Sequence, residues 1–299
     1  IFHSIKAFWL KKIVTKLENK LVKRFIINCD SDVIISTNIR YNVLIGKYLS
    51  SNILKIGWEH SYHNNDKKYI NKVLQSTNNL DYFVLVSNVL YKFYSGFLAD
   101  STCKCLFIPN ALEYIPKSCS SSTDKNLISI GKLSKEKSYV DLVEVFKYVS
   151  LKYPDWKLNI IGDGPERKSI ESQIAKYKLE NNVILHGFRD KKYIKKMFEH
   201  SSIYVMSSVS EAFGIVILEA FSYGIPCVAF DSALGAKELI SNNWDGYLIS
   251  DLDKEKMTKK IIDLIKNENR RIIMGNNARK KSLKYTSEVI KDEWIKILN

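Results

Sequence analysis

The sequence predicts an α/β protein built of two successive doubly wound, Rossmann-like domains facing a cleft. Short apolar runs alternate with helix-like stretches along nearly all of its 299 residues, the pattern of parallel sheets covered on both faces. The alternation breaks once, at the polar, serine-rich stretch Pro116–Asp124, which offers little that could pack. It then restarts. A content of 45% hydrophobic and 26% charged residues, with only 12 Gly and 5 Pro, belongs to a folded globular chain, and the length suffices for two cores.

The elements follow in order. Residues 5–24 form an amphipathic helix with Ile5, Phe8, Trp9, Ile13, Leu17 and Leu21 on one stripe, expected to pack on the sheet. Strands are expected at 33–35, 53–57, 83–86 and 106–108, separated by helices that include 42–49 and 67–75. After the serine-rich stretch come strands at 127–130, 157–161, 183–186, 203–206 and 226–230. Helices at 139–153, 166–177, 193–200 and 214–223 alternate with them, and a last helix covers 287–298. The expected domains are 1–118 and 119–286, with the helix of 287–299 free to pack back on the first. In such folds a ligand lies at the carboxyl ends of the strands.

A net charge of +14 favours phosphate-bearing or other anionic partners. The basic residues concentrate in two segments, Ile5–Phe25 and Lys254–Lys284, which suit contact with an anionic inner membrane leaflet. No aromatic-and-basic motif of nucleic-acid recognition is found, so no nucleic acid is expected. No apolar run reaches the roughly 18 residues of a membrane span. Five scattered cysteines without a Cys-x-x-Cys pair point to a reducing, cytoplasmic setting and away from a zinc site.

The chemistry centres on Ser210-Glu211-Ala212-Phe213-Gly214-Ile215-Val216-Ile217-Leu218-Glu219. Gly214 precedes an apolar helix, and the N–H groups of Ile215 and Val216 would point at an anion, favoured by the helix dipole. A diphosphate fits there. Helical side chains lean toward the N-terminus, so Glu219 could accept from a ribose diol beside it, with Glu211 on the other side accepting from sugar hydroxyls. A surface helix with two solvated glutamates has the same spacing.

Other strand exits add candidates. In Gly131-Lys132-Leu133-Ser134-Lys135-Glu136-Lys137, the glycine gives a tight exit and the two lysines could clamp a diphosphate; a solvated basic loop is the plainer account. Gly162-Asp163-Gly164-Pro165 is a turn that suits a cleft wall. Gly187 and Phe188 follow a strand where backbone and ring could meet a nucleobase, while His186 is expected to be structural. His60, after the strand ending at Gly57, would point into the cleft; its spacing from His63 is weak support for a metal. Asp30-Ser31-Asp32 and Asp251-Leu252-Asp253 are treated as structural, the second as the cap of a helix starting near Lys254.

From about Asn126 to the C-terminus these motifs together resemble the retaining GT-B glycosyltransferases of the group 1 family. Gly131-Lys132-Leu133…Lys137 is similar to that family's Gly-Arg-Leu…Lys-Gly, with Lys132 for Arg and Ser138 for the second Gly. Gly162-Asp163-Gly164-Pro165 matches its Gly-x-Gly-Pro turn. Glu211…Glu219 matches its paired-glutamate signature, with Ala212 where Gly is usual. Segments 229–240 and 245–248 follow in the family's order, and Trp58-Glu59-His60, Val86-Ser87 and Ile108-Pro109-Asn110 resemble later motifs of its first domain.

The resemblance implies a GT-B fold and a metal-independent hexosyltransferase that retains anomeric configuration. A sugar would pass from a nucleotide sugar, here a UDP-sugar, to a saccharide or lipid-linked acceptor in bacterial glycan assembly. The donor is a substrate, and no cofactor is implied. Gly131, Lys132, Lys137, Gly187, Phe188, Glu211, Phe213, Gly214, Ile215, Val216 and Glu219 would form the donor site. Lys137, Glu211 and His60 would act at the reacting centre. The family's first domain opens with a strand and a Gly-rich loop that have no counterpart before Ile5. The first domain is therefore expected to be incomplete by on the order of 60 residues, about two βα units. A catalytically silent nucleotide-sugar-binding protein or fragment is the alternative.

Overall fold

The computed structural model describes residues 2–299, with side chains from Val14 onward except that of Asp251. The chain divides into two compact units. One comprises the residues up to Ile108 together with Leu298; the other holds Pro109–Ile297 and Asn299.

The first unit begins with α1 (Phe2–Ile27). Of its expected apolar stripe, Ile5, Phe8, Trp9 and Ile13 lie outside the described side chains. Leu17 and Leu21 are 56% and 68% exposed, so the described part of the stripe does not pack on the sheet. The helix instead engages α2 (Ile39–Tyr48) through polar groups. Arg40 Nη2 meets Glu18 Oε2 at 2.9 Å, and the Lys23 ammonium sits 4.3 Å from the centre of the Tyr48 ring. Periodicity fixes which residues share a stripe, not what that stripe meets.

Four parallel strands follow in sequential order: β1 (Val33–Ser36), β2 (Leu54–Glu59), β3 (Tyr82–Leu85) and β4 (Lys104–Phe107). The helices between them start where a side chain satisfies free N–H groups. Asn38 caps α2, Asp66 caps α3 (Lys67–Ser76) and Ser87 caps α4 (Asn88–Phe97).

The second unit is a six-stranded parallel sheet. Its strands are β5 (Asn126–Ile130), β6 (Lys157–Ile161), β7 (Val183–Leu185), β8 (Ile203–Met206), β9 (Cys227–Phe230) and β10 (Gly246–Ile249), ordered β10-β9-β8-β5-β6-β7. The chain winds outward from β5 to β7, returns to the other side of β5, and winds outward again. β5 and β8 are therefore neighbours whose following helices go opposite ways, the switch point at which doubly wound sheets hold ligands. α5 (Tyr139–Lys152), α6 (Arg167–Tyr177), α7 (Lys191–Glu199) and α8 (Ile215–Ser222) alternate with the strands. α9 (Leu234–Leu239), α10 (Lys254–Lys266) and α11 (Glu268–Ser282) follow, and α12 (Ser287–Leu298) is the last helix, in this unit except for Leu298. One core joins Leu142, Val143 and Phe146 of α5 to Leu158 and Ile160 of β6, Val205 of β8 and Ile261 and Leu264 of α10. Asp253 caps α10 as expected, its carboxylate accepting from Lys256 N at 2.8 Å.

The Pro116–Asp124 stretch is not a loose connection, and the division between units falls at Ile108/Pro109 rather than at 118/119. Ser120 N donates to Tyr223 O at 2.8 Å and its hydroxyl to Ser201 O at 2.6 Å. Arg279 reaches Pro116 O at 2.7 Å, and the buried Arg271 donates to Ser122 O through Nε and Nη2 at 3.1 and 2.9 Å. Small polar residues look like linker in sequence, yet here their backbone and hydroxyls bond to Ser201, Tyr223, Arg271 and Arg279 within the same unit.

Candidate active site

The switch point places two loops side by side. The first, Gly131–Ser138, leaves β5, and the second, Ser207–Gly214, leaves β8. Main-chain bonds fix the first: Gly131 N donates to Ile161 O at 3.0 Å, Leu133 N to Asp163 O at 3.0 Å, and Glu166 N to Leu133 O at 2.9 Å. It ends at Ser138 in the left-handed region, φ 51° and ψ 40°, the conformation glycine adopts most readily. The loops are tied to each other by Ser207 Oγ donating to Lys137 O at 2.8 Å and Val209 N to Glu136 O at 2.9 Å.

Across these loops the Lys137 ammonium pairs with the Glu211 carboxylate, the two side chains being 22% and 23% exposed. Beside them Gly214, at φ 79°, opens α8 with no side-chain cap. No side chain therefore caps the first N–H groups of that helix, groups of the kind an anion can satisfy.

A cavity of about 230 Å³ sits at this point. It brings together Gly131, Lys132, Lys137, Glu211, Gly214, Ile215 and Val216, all expected from the sequence. Glu219 lines a second cavity of about 200 Å³ along the flank of α8, and Ile215 lines both. Burial raises the Glu219 carboxyl above its ordinary pKa, while Lys191 opposes the shift. Lys191 in turn pairs with the exposed Glu113, and the Lys195 ammonium lies 3.9 Å from the centre of the Tyr114 ring, with all four of these residues on the same cavity wall.

Four expected residues line neither cavity. Phe213 is buried, with its carbonyl against Gly235, where a Cβ would lie 2.1 Å away; it supports the loop by packing. Gly187 accepts from Gly162 N at 2.9 Å and so braces the loop next to Gly131. Phe188 is 84% exposed. His60 belongs to the first unit, just after β2, with its ring 4.4 Å from that of Trp58. Desolvation lowers its pKa, favouring the neutral imidazole. His63 is buried, accepts from Asn65 N at 2.9 Å and stacks on Phe93, a structural arrangement. His186 bridges Asn159 and Tyr193 at 2.9 and 2.8 Å, also as expected. Among the described residues no three His, Cys, Asp or Glu side chains gather as a metal site would need.

Sequence reasoning missed Tyr139, Tyr204, Ser207 and Ser208, which line the cavity of Lys137 and Glu211. Tyr139 is buried, hydrogen-bonded to Ser129, and its hydroxyl would lie 3.0 Å from a Cβ on Gly131. Tyr204 donates to Ile130 O at 3.4 Å. Burial pushes both phenols well above their ordinary pKa. An aromatic within a strand or first helical turn reads as core; only the pairing of β5 with β8, which brings Tyr139 and Tyr204 to one cavity, singles them out.

The profile of the family "Glycosyl transferases group 1" matches residues 111–281, more than half of the chain. The chain belongs to this family. It is 32% identical over 192 residues to an uncharacterized glycosyltransferase of Haemophilus influenzae, covering 64% of this chain and 53% of that protein. It is 31% identical over 172 residues to the poly(glycerol-phosphate) alpha-glucosyltransferase of Bacillus subtilis, covering 58% of this chain and 25% of that protein. The chain thus spans about half the length, or less, of these group 1 relatives. A crystal structure of an S. aureus TarM variant in complex with Fondaparinux, alpha-GlcNAc-glycerol and UDP superposes with a TM-score of 0.83 at 24% identity, covering 94% of this chain and 59% of that one. The fold is that of the GT-B glycosyltransferases. Within the group 1 pattern, the left-handed backbone of Ser138 explains why glycine is usual there, and Ser138 holds it by donating to the Asp141 carboxylate.

Proposed function

We propose that the chain binds a nucleotide sugar, in the first instance a UDP-sugar, and transfers its sugar with retention of configuration in bacterial glycan assembly. The acceptor is a saccharide or a lipid-linked saccharide. The observation that carries this reading is the single cavity in which Lys137, Glu211 and the uncapped start of α8 meet at the switch point. Family membership gives the reaction class, and UDP is bound in the related TarM structure.

In this reading the diphosphate lies on the N–H groups of Ile215 and Val216, with Lys137 and Lys132 as counter-charges. Glu211 accepts from hydroxyls of the donor sugar and Glu219 from the ribose diol. The bond between the anomeric carbon and the phosphate oxygen breaks as the acceptor oxygen bonds to that carbon on the same face. The acceptor's proton passes to the departing phosphate oxygen. The site then needs charge stabilisation of the leaving group more than a strong protein base, and no metal is required. His60, Phe188 and Gly187 are assigned to the donor by resemblance. Among the described residues no helix is long and apolar enough to cross a membrane. The basic segments are assigned to peripheral contact with the anionic inner face of the plasma membrane, on the cytoplasmic side.

Incubating the chain with radiolabelled UDP-sugars and glycan acceptors tests the proposal. Labelled product from the wild type, lost in Lys137→Met, is the expected outcome. Nucleotide binding without transfer would leave the silent nucleotide-sugar-binding protein as the function.

A further inference from the structure

We propose that Glu211 makes the site discriminate between the intact donor and its nucleoside diphosphate product, by reclaiming Lys137 whenever no sugar is present. This rests on the donor-site reading above. Lys137 and Glu211 line one cavity and are bound to each other, with most of both side chains out of solvent. Their loops are not free to part. Ser207 holds the Lys137 carbonyl, Val209 N holds Glu136 O, and Gly235 N donates to Glu211 O at 3.1 Å. An exchange of partners is therefore a matter of side-chain rotation in a fixed frame.

One cation has two claimants. A diphosphate that takes Lys137 leaves the Glu211 carboxylate without its counter-ion, partly desolvated and close to new negative charge. A part-buried carboxylate that loses its partner destabilises the complex that strands it. The donor sugar removes that penalty, because its hydroxyls donate to the freed carboxylate. The product has no sugar and leaves the penalty in place. Glu211 thus raises the free energy of the product complex while accommodating the donor complex, and it is a specificity-determining residue as well as a sugar ligand.

Titration calorimetry on the full chain tests this, with UDP, ADP, GDP and dTDP in turn and then the sugar conjugate of whichever binds. Removal of the competing charge in Glu211→Gln is expected to tighten the diphosphate by about two- to tenfold, the scale of a partly exposed ion pair, while weakening the sugar conjugate. Glu211→Asp, which keeps the charge, is expected to show no such gain, and the gain from Glu211→Gln is expected to shrink in a Lys137→Gln background, measured against Lys137→Gln alone. Thermal denaturation checks that each variant is folded. A folded Glu211→Gln protein that binds the diphosphate no more tightly than wild type overturns the inference while leaving the donor-site reading standing. A wild type that binds none of the four diphosphates overturns both.

Discussion

Gly162 packs directly on Gly131: a Cβ built on Gly162 would fall 1.9 Å from the Gly131 carbonyl oxygen, and its φ of +143° is a conformation that side chains rarely adopt. Gly162→Ala must therefore move the loop that carries Lys132 and Lys137. We expect a loss of about 1–3 kcal/mol of stability from backbone strain, read by chemical denaturation. Nucleotide affinity should fall with it, since Gly131 lines the cavity.

Ser138 offers a change in the opposite direction. It is a non-glycine residue at φ 51° and ψ 40° directly before α5. Ser138→Gly removes the cost of left-handed backbone but also the hydroxyl bond to Asp141. A net gain of up to about 1 kcal/mol is expected, visible as a rise in Tm. Unchanged or lower Tm would mean that the hydroxyl contributes more than the backbone strain costs.

Arg271 anchors the segment that leads into β5. It is 3% exposed and donates to Ser122 O, to Leu264 O at 2.6 Å and to Ile265 O at 2.9 Å. Arg271→Ala leaves three carbonyls without this donor, and a loss of about 3 kcal/mol or more is expected. Arg271→Lys should recover little, because one ammonium cannot reproduce the planar fork. Urea denaturation of the three proteins measures both claims.

Glu219 makes a pH-dependent prediction. Burial raises its folded-state pKa above the ordinary 4.5. The folded protein therefore binds this proton more tightly than the unfolded chain, and the group costs stability once pH exceeds its raised folded pKa. The cost disappears as pH falls below the ordinary value. Glu219→Gln should accordingly raise Tm at neutral pH and leave it unchanged at low pH. If Glu219 holds the ribose as proposed, the same substitution should weaken nucleotide binding by on the order of tenfold, through lost charge-assisted hydrogen bonds. An equal Tm gain at both pH values would show that ionisation of Glu219 is not the cause.

Much of the fold can be seen in the residues themselves. β6, β8 and α12 begin and end where apolar spacing places them, because continuous apolar runs and helical periodicity are local signals. α9, β10 and α11 lie outside the expected elements for different reasons. α9 has only six residues, and β10 starts at a glycine whose Cβ would strike Cys227 O. α11 packs through Gly275 against the Gly224 carbonyl and through a buried arginine, neither of which marks an apolar face. In the site, the glycine-opened helix and its two glutamates were legible, since each is a local cue. The Lys137–Glu211 pair joins residues far apart in sequence, and the tyrosines beneath Gly131 look like ordinary core until the sheet order is known.

The stacked exits of β5, β6 and β7 have one more consequence. Gly131 N to Ile161 O and Gly162 N to Gly187 O link three neighbouring loops by main chain alone. The shelf they form is specified by missing side chains rather than by present ones. Its surface chemistry can therefore drift, as with lysine at 132, while its contour stays constant. A saturation-mutagenesis map of this region should show a few intolerant glycine columns, at 162 and 164 above all, where a Cβ would strike the backbone of Gly131 and Leu133, standing among permissive neighbours.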